Sequence, residues 1–383
     1  MLNFTFHNPT KIFFGENQIA AIAKQIPTDA KVLVTYGGGS IKANGVYDQV
    51  SDALKDHQWS EFSGIEPNPQ FDTLMKAVAK IKEEGITYLL AVGGGSVVDG
   101  TKFIAAAARF EGAEPWDILS KHAKVTDAVP MACVLTLPAT GSESNTGAVI
   151  TRGTTKLAFM SPYVQPLFAV LDPKVTLSLS ERQVANGVVD AFVHTMEQYL
   201  TFPVNAKVQD RFSEGLLLNL IEEGPKALAT PDDMEVRSNI MWSATMALNG
   251  LIGAGVPQDW STHMIGHELT GQYGIDHART LAIVLPAVMK VQREQKRGKL
   301  VQYAQRVWNI VDGTEDEIID QAIVKTEAFF KEMGMPVRLS DADLDAASID
   351  VLVAQLEAHG MTTLGEHGDM TLDVSRKVLE AAL

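Results

Sequence analysis

The sequence is poor in cysteine, has no excess of positive charge and lacks long apolar runs. Each of these features, if present, would point to a particular class of protein. It has a single cysteine, Cys133, so no intramolecular disulfide can form, as in proteins of a reducing cytoplasm. Its net charge of −15 disfavours binding to nucleic acid or anionic lipid. No apolar run approaches the ~20 residues that span a bilayer, and the segment MLNFTFHNPTK lacks the regions of a signal peptide. We therefore expect a cytoplasmic protein with neither a nucleic acid nor a membrane partner.

The first half of the chain alternates apolar strands with amphipathic helices. The segments typical of buried strands are KVLVTY (31–36), TYLLAV (87–92), PMACVLTLP (130–138) and LFAVLDP (167–173). Strands that alternate with helices predict a parallel sheet covered on both faces. From Ser180, which forms a capping-box pattern with Gln183, the sequence is helical almost throughout. We expect an α/β domain over residues 1–180 and an all-helical domain over residues 181–383.

Two Gly-Gly-Gly-Ser turns, at residues 37–40 and 93–96, each follow a predicted strand. Neither turn is the dinucleotide-binding motif G-x-G-x-x-G, because Lys42 and Val98 occupy the position of the third glycine. The second turn is not a P-loop either, because the P-loop motif requires its lysine one position before Lys102. Glycines at this edge of a sheet let the backbone approach a phosphate. Two such turns predict a dinucleotide-binding site. The alternative interpretation is that the glycines only form tight turns between a strand and a helix and bind no ligand. A Gly-Ser turn followed by a lysine favours NADP over NAD.

Candidate metal ligands are concentrated on predicted helices of the second half, in apolar surroundings. They are Asp190, His194, His263, His267 and His277. The first four form two pairs at i,i+4, each on one helix face, and a carboxylate one turn from an imidazole is half of a site for a divalent metal. HMIGHE is not the H-E-x-x-H motif of metalloproteases. The spacing leaves open which of the five bind, and histidines that merely pack in the core are the alternative.

Four segments in order resemble the iron-containing (group III) alcohol dehydrogenases: GGGSVVDGTK, LPATGSE, NGVVDAFVHTMEQY and STHMIGHEL…GIDHARTLAIVLP. The resemblance covers the whole chain and is closest to NADPH-dependent aldehyde reductases of the butanol-dehydrogenase-like branch. It implies a dehydroquinate synthase-like architecture, in which an α/β N-terminal dinucleotide-binding domain with a parallel sheet is followed by an all-α C-terminal metal-binding domain. It also implies one divalent metal in the cleft between the domains and a homodimer.

The resemblance also implies the roles of individual residues. By position, the metal ligands are Asp190, His194, His263 and His277. His267 matches a non-ligand histidine near the nicotinamide, for which we infer a role in proton relay. The residues that match NADP(H)-contacting positions are Gly38, Gly39, Ser40, Asn68, Gly94, Gly95, Ser96, Asp99, Thr136, Thr140, Asn145 and Lys156. Asp99 could equally be a plain helix cap.

The function implied is reversible hydride transfer between NADP(H) and short-chain aldehydes or primary alcohols, with Zn²⁺ or Fe²⁺ as the metal. The apolar segments ALNGLIGAG and FMSPYV indicate small, uncharged carbonyl substrates. One alternative is a polyol dehydrogenase similar to glycerol dehydrogenase, or an enzyme similar to dehydroquinate synthase. Others are a metal-dependent hydrolase that uses the same Asp/His cluster, and a nucleotide-binding regulatory protein without chemistry.

Overall fold

A computed structural model describes all 383 residues, which form two compact units. The sheet unit consists of His7–Leu179 and Asp232–Met241. The helical unit consists of Met1–Phe6, Ser180–Pro231 and Trp242–Leu383. Two short segments therefore depart from the expected division at residue 180. The amino-terminal one is joined to the helical unit where Leu2 N donates to Gly255 O, and Met241 belongs to the apolar core around the sheet.

The sheet unit contains eight strands: β1 (Lys11–Phe14), β2 (Lys31–Thr35), β3 (Gln58–Phe62), β4 (Tyr88–Gly94), β5 (Met131–Leu137), β6 (Gly147–Arg152), β7 (Thr155–Met160) and β8 (Phe168–Leu171). Six of them form one parallel sheet in the order β1-β8-β5-β4-β2-β3. The four strands named from the sequence are confirmed as β2, β4, β5 and β8. Strands β6 and β7 form a separate antiparallel hairpin that the sequence analysis did not identify.

Helices cover both faces of this sheet, as the alternating pattern predicts. They are α1 (Ile22–Gln25), α2 (Ser40–Ala43), α3 (Val46–Ala53), α4 (Phe71–Glu84), α5 (Gly95–Arg109) and α6 (Asp117–Ser120). Successive side chains of a strand point to opposite faces. Val32 and Val34 of β2 therefore pack with α3, and Leu33 packs with α4 and α5. Short 3-10 helices are found at Gln18–Ala21, Ser142–Ser144, Pro162–Val164 and Pro173–Ser178.

The order of the strands places the two glycine turns side by side. Strands β2 and β4 are hydrogen-bonded neighbours, and both turns follow their carboxyl ends. From β2 the chain continues to β3 on one side, and from β4 it continues to β5 on the other side. This is a point where the strand order reverses, the place where open parallel sheets bind ligands.

The helical unit is built from nine helices, of which α9 begins within the sheet unit. They are α7 (Glu181–Tyr199), α8 (Lys207–Ala229), α9 (Met234–Ala247), α10 (Ser261–Tyr273), α11 (His277–Val291), α12 (Arg293–Arg306), α13 (Glu315–Glu332), α14 (Ala347–Ala358) and α15 (Leu372–Ala381). The predicted capping box is present, since Gln183 N donates to Ser180 Oγ and Ser180 N donates to the Gln183 side chain.

Two features complete the helical unit. The expectation of an all-helical domain needs one correction, because β9 (Thr363–Leu364) pairs antiparallel with β10 (Met370–Thr371). Strands of two residues are too short to show an alternating pattern in the sequence. A short 3-10 helix lies at Ser340–Ala342. No helix of the structure combines the length and the apolar composition needed to cross a membrane.

Candidate active site

Three helices of the helical unit bring the predicted metal ligands together. Asp190 and His194 lie one turn apart on α7, His263 lies in the first turn of α10, and His277 is the first residue of α11. The side chains of Asp190, His194 and His263 are buried, and that of His277 is 23% exposed. Contacts between these helices therefore unite residues from three separate parts of the sequence.

The distances within this cluster fit a bound metal ion. Asp190 Oδ1 lies 3.8 Å from His194 Nε2 and 3.7 Å from His277 Nε2. Ligand atoms of Asp190, His263 and His277 all lie within 4.8 Å of one another. The rings of His194 and His263 stack with their centroids 4.6 Å apart. A tetrahedral ion with bonds of about 2.1 Å separates its ligand atoms by about 3.4 Å, slightly less than is seen here.

The chemistry of these groups also fits a divalent cation. Asp190 Oδ1 is buried and accepts no hydrogen bond, which is unfavourable for a carboxylate oxygen unless a cation compensates it. Its separations from the two imidazole nitrogens exceed hydrogen-bonding distance. One carboxylate and three imidazoles form a donor set that suits zinc or ferrous iron. The Asp/His cluster predicted from the sequence is therefore a metal-binding arrangement.

A second buried carboxylate, Glu197 of α7, contacts this cluster and was missed by the sequence analysis. Its Oε1 accepts hydrogen bonds from the backbone N–H groups of Thr262, at 2.7 Å, and His263, at 3.2 Å. Its Oε2 contacts Nδ1 of the His263 ring. The signal that could have found it is the spacing of Asp190, His194 and Glu197 at i, i+4 and i+7, which places all three on one face of α7.

Burial and hydrogen bonding shift the pKa of the Glu197 carboxyl in opposite directions. Burial, with a smaller contribution from Asp259, raises the pKa of the Glu197 carboxyl well above its ordinary range. The backbone N–H groups of His263 and Thr262 act in the opposite direction. Asp259 is itself paired with buried Lys296, at 2.7 Å. Glu197 therefore belongs to a buried polar network next to the ligands.

His267 lies beside the metal cluster, one turn after His263 on α10. Its ring centroid is 5.2 Å from that of His277 and 6.3 Å from that of His263, and its side chain is buried. The neighbouring Glu268 contacts His359, with His359 Nδ1 2.8 Å from its Oε1. The structure thus places His267 next to the predicted ligands, as its candidate role in proton relay requires.

The predicted cofactor residues all belong to the sheet unit. They lie after β2 (Gly38, Gly39 and Ser40), before α4 (Asn68), where β4 meets α5 (Gly94, Gly95, Ser96 and Asp99), in β5 (Thr136), around the Ser142–Ser144 turn (Thr140 and Asn145) and in β7 (Lys156). Some are in direct contact, since Lys156 Nζ donates to Asn68 Oδ1 at 3.0 Å. The predicted cofactor residues therefore come from six separate segments of the sheet unit.

The two glycine turns differ in their packing. A Cβ added at Gly38 or Gly39 would meet no atom within 4 Å, and Gly39 has a φ of +97° that favours glycine. A Cβ added at Gly95 would instead lie 2.4 Å from Thr140 Oγ1. Gly38 and Gly39 of the first turn are therefore open to a ligand, whereas the glycine at position 95 is required for packing.

Asp99 and Lys102 of α5 hold the segment that follows β5. Asp99 accepts hydrogen bonds from Ser142 Oγ, at 2.5 Å, and from Val149 N, at 2.9 Å. Lys102 Nζ donates to Asn145 Oδ1, Asn145 O and Gly147 O. Both carboxylate oxygens of Asp99 thus accept hydrogen bonds from the chain that follows β5. Lys102 positions a candidate cofactor residue, a role that the sequence analysis did not assign to it.

Comparison with known proteins identifies the family. Residues 9–173 match the family described as iron-containing alcohol dehydrogenase. Residues 184–383 match the family described as Fe-containing alcohol dehydrogenase, C-terminal. The chain belongs to the iron-containing alcohol dehydrogenase family. The family resemblance and the dehydroquinate synthase-like fold class predicted from the sequence are therefore confirmed.

Individual relatives within this family match the chain from end to end. It is 63% identical over 386 residues to the NADPH-dependent aldehyde reductase YqhD of Escherichia coli (strain K12), with 100% of each chain covered. It is 40% identical over 390 residues to the probable NADH-dependent butanol dehydrogenase 1 of Bacillus subtilis (strain 168), again with 100% of each covered. The crystal structure of E. coli K-12 YqhD matches with a TM-score of 0.99 and 62% identity, covering 100% of this chain and 99% of that chain.

Proposed function

We propose that this chain is a metal-dependent aldehyde reductase and alcohol dehydrogenase that transfers a hydride between NADP(H) and short-chain aldehydes or primary alcohols. The observation that carries the proposal is the buried carboxylate of Asp190, which faces imidazole nitrogens of His194 and His277 in a chain of this family. The name of the E. coli relative supports NADPH and aldehydes as the reactants.

The proposed metal ligands are Asp190, His194, His263 and His277. A divalent ion held there, Zn²⁺ or Fe²⁺, would supply Lewis-acid polarisation of the substrate oxygen. Three neutral imidazoles and one carboxylate leave the site with net positive charge. Their burial lowers the local dielectric, which strengthens the attraction between such a site and the negative charge that develops on the substrate oxygen.

The proposed NADP(H) site begins with the open turn of Gly38, Gly39 and Ser40. Its glycines allow a phosphate to approach the backbone. Lys42, which follows the turn, supports a preference for the 2′-phosphate of NADP(H), and its Nζ lies 3.4 Å from Glu61 Oε1. This carboxylate already offsets part of the charge of Lys42.

The other proposed NADP(H) contacts come from residues placed around the second turn. They are Asn68, Gly94, Gly95, Ser96, Asp99, Thr136, Thr140, Asn145 and Lys156. Among them, Lys156 offers a cation already oriented by Asn68, and Lys102 orients Asn145. Asp99, whose oxygens both accept hydrogen bonds within the protein, would act mainly by holding this region in place.

His267 is the proposed proton relay. An imidazole both donates and accepts protons near neutral pH, and this one is buried beside His277. Replacement of His267 by alanine should lower kcat and flatten the dependence of kcat on pH. Unchanged activity at every pH would contradict the relay role.

The central experiment follows NADPH consumption at the absorbance band of the reduced nicotinamide, with butyraldehyde as substrate. We expect activity that is lost on chelation of the metal and restored by added Zn²⁺ or Fe²⁺, and lower activity with NADH. The variant D190N should bind less metal and lose activity, because Asn is a neutral ligand. Metal-dependent ester or phosphate hydrolysis without NADPH consumption would refute the proposal and favour a hydrolase.

The compartment and the assembly are part of the same proposal. The single cysteine supports a reducing cytoplasm as the location. The homodimer rests on the family resemblance. Light scattering coupled to size-exclusion chromatography should give twice the chain mass of 41.5 kDa, and a mass of one chain would contradict the dimer.

A further inference from the structure

The carboxylate of Glu197 contacts two features of the helical unit that are structurally independent of each other. One is the start of α10, where the N–H groups of Thr262 and His263 point out of the helix. The other is the imidazole of His263, a proposed metal ligand. Glu197 lies on α7, 66 residues before His263, and its side chain is buried. This arrangement rests on tertiary contact alone.

At the start of α10, Glu197 takes the place of a capping side chain. The residue at the N-cap, Trp260, makes no side-chain cap hydrogen bond. Instead, Glu197 Oε1 accepts from Thr262 N at 2.7 Å and from His263 N at 3.2 Å. These groups are among the four N–H donors that a helix leaves unsatisfied at its start, and a carboxylate is favoured there by the helix dipole. Oε1 is thus committed to accepting hydrogen bonds.

The second oxygen of the same carboxylate contacts the ring of the ligand. Glu197 Oε2 lies against His263 Nδ1, so Nε2 is the ring nitrogen that would bind a divalent cation. A histidine can ligate through Nε2 only when the ring proton is on Nδ1. A carboxylate that accepts from Nδ1–H stabilises this tautomer, fixes the ring orientation and increases the basicity of Nε2.

We infer that Glu197 is a positioning residue for the metal site: its Oε1 holds the start of α10 while its Oε2 keeps the His263 proton on Nδ1, so that Nε2 is available to bind a divalent cation. The inference deepens the proposed function and rests on the proposed metal site. Asp190 would bind the cation directly, and Glu197 would act on it through His263.

The variant E197Q separates the two roles of this side chain. A carboxamide has one accepting oxygen and one donating NH₂ group. The oxygen must remain opposite the N–H groups of Thr262 and His263, because in the flipped orientation the carboxamide NH₂ group, itself a donor, would face these two N–H donors. The NH₂ group then faces His263 Nδ1, which can only accept from it, and the ring proton moves to Nε2. The variant should keep the helix cap and lose the correct tautomer.

The test measures the affinity of the full-length, metal-stripped protein for Zn²⁺ in the absence of NADP(H), by competition with a chromophoric chelator. E197Q should bind Zn²⁺ roughly 10- to 100-fold more weakly than the wild type. The matched control is E268Q, which alters another buried Glu–His pair on α10 whose histidine, His359, is not a proposed ligand. It should bind Zn²⁺ as the wild type does.

A third variant, D190N, distinguishes failure of the inference from failure of the proposed function. If D190N loses affinity for Zn²⁺ while E197Q binds it as tightly as E268Q, the inference about Glu197 is overturned and the metal site stands. If D190N and E197Q both bind as the wild type does, the proposed metal site fails and the inference fails with it.

A measurement on the wild type covers the case in which E197Q does not fold. In the Zn²⁺-loaded protein labelled with ¹⁵N-histidine, the Nδ1 proton of His263 should exchange slowly with water because Glu197 accepts it inside the protein. The resonance is assigned by its absence from H263N. An Nδ1 proton of His263 that exchanges rapidly with water would overturn the inference.

Discussion

Replacement of Gly95 by alanine should destabilise the sheet unit, whereas replacement of Gly38 by alanine should leave its stability unchanged. Both glycines belong to Gly-Gly-Gly-Ser turns. At Gly95 the new Cβ would lie 2.4 Å from Thr140 Oγ1 and 2.5 Å from Thr140 Cγ2. Real Cβ atoms essentially never approach other atoms so closely, so the backbone or Thr140 must move by about 1 Å. At Gly38 nothing lies within 4 Å of the same position.

Thr140 has little freedom to move away. It is β-branched, so its χ1 angle is restricted, and its Oγ1 accepts a hydrogen bond from Ser142 N at 3.2 Å. Overpacking of this kind typically costs about 1–3 kcal/mol. For a domain of this size we expect G95A to lower Tm by roughly 2–12 °C, and G38A to change it by less than about 2 °C.

Thermal and urea unfolding of the cofactor-free protein measure this difference. A double-mutant cycle with T140A tests its cause, because this change removes the two closest atoms, and the third closest, Thr140 Cβ, lies at 3.0 Å. We expect G95A/T140A to be more stable than the two single changes predict when added. The reasoning is refuted if G95A is as stable as G38A, or if the cycle shows no coupling.

Two further predictions concern carboxylates that accept hydrogen bonds within the protein. Burial by itself raises the pKa of Glu327, but hydrogen bonds from Arg338 and Lys290 lower it below 4.5. The carboxylate therefore stabilises the protein above pH 4.5, and E327Q should lower the free energy of unfolding by about 1 kcal/mol at pH 7, a value reduced by the partial exposure of both cations. This difference should shrink as the pH falls through the pKa of the folded state. D99A should destabilise the cofactor-free protein by about 1–3 kcal/mol, because it removes two acceptors that hold Ser142 and Val149.

Each of these predictions has a control variant. For Glu327 the control is E332Q on the same helix, which removes an exposed carboxylate and should change the free energy of unfolding by less than about 0.5 kcal/mol at pH 7. A difference between E327Q and the wild type that does not shrink as the pH is lowered would contradict the ion-pair explanation. For Asp99 the control is S142A, which removes one of the two hydrogen bonds and should have a smaller effect. A D99A protein as stable as the wild type, with weaker NADPH binding, would show that Asp99 acts on the cofactor alone.

The sequence by itself determined the features that depend on local spacing. Strands such as β2 and β4 have buried apolar runs that end in glycine, and the capping box at Ser180 and Gln183 needs only four consecutive residues. The Asp190–His194 pair lies on one helix face because a helix turns once in 3.6 residues. These patterns predicted the fold class and the candidate ligands. They did not predict the β6–β7 hairpin, whose strands have mixed burial.

Only the tertiary structure decided which residues of different segments meet. The two glycine turns have the same four letters, yet Thr140 packs against Gly95 and nothing packs against Gly38. Glu197 has no local feature that assigns it to His263, 66 residues further along the chain. Such contacts depend on how whole helices and strands pack, and packing joins residues without regard to their separation in the sequence. The sequence therefore specified the candidate ligands, and the tertiary fold, which brings Glu197 of α7 to the start of α10, decided which carboxylate contacts one of them.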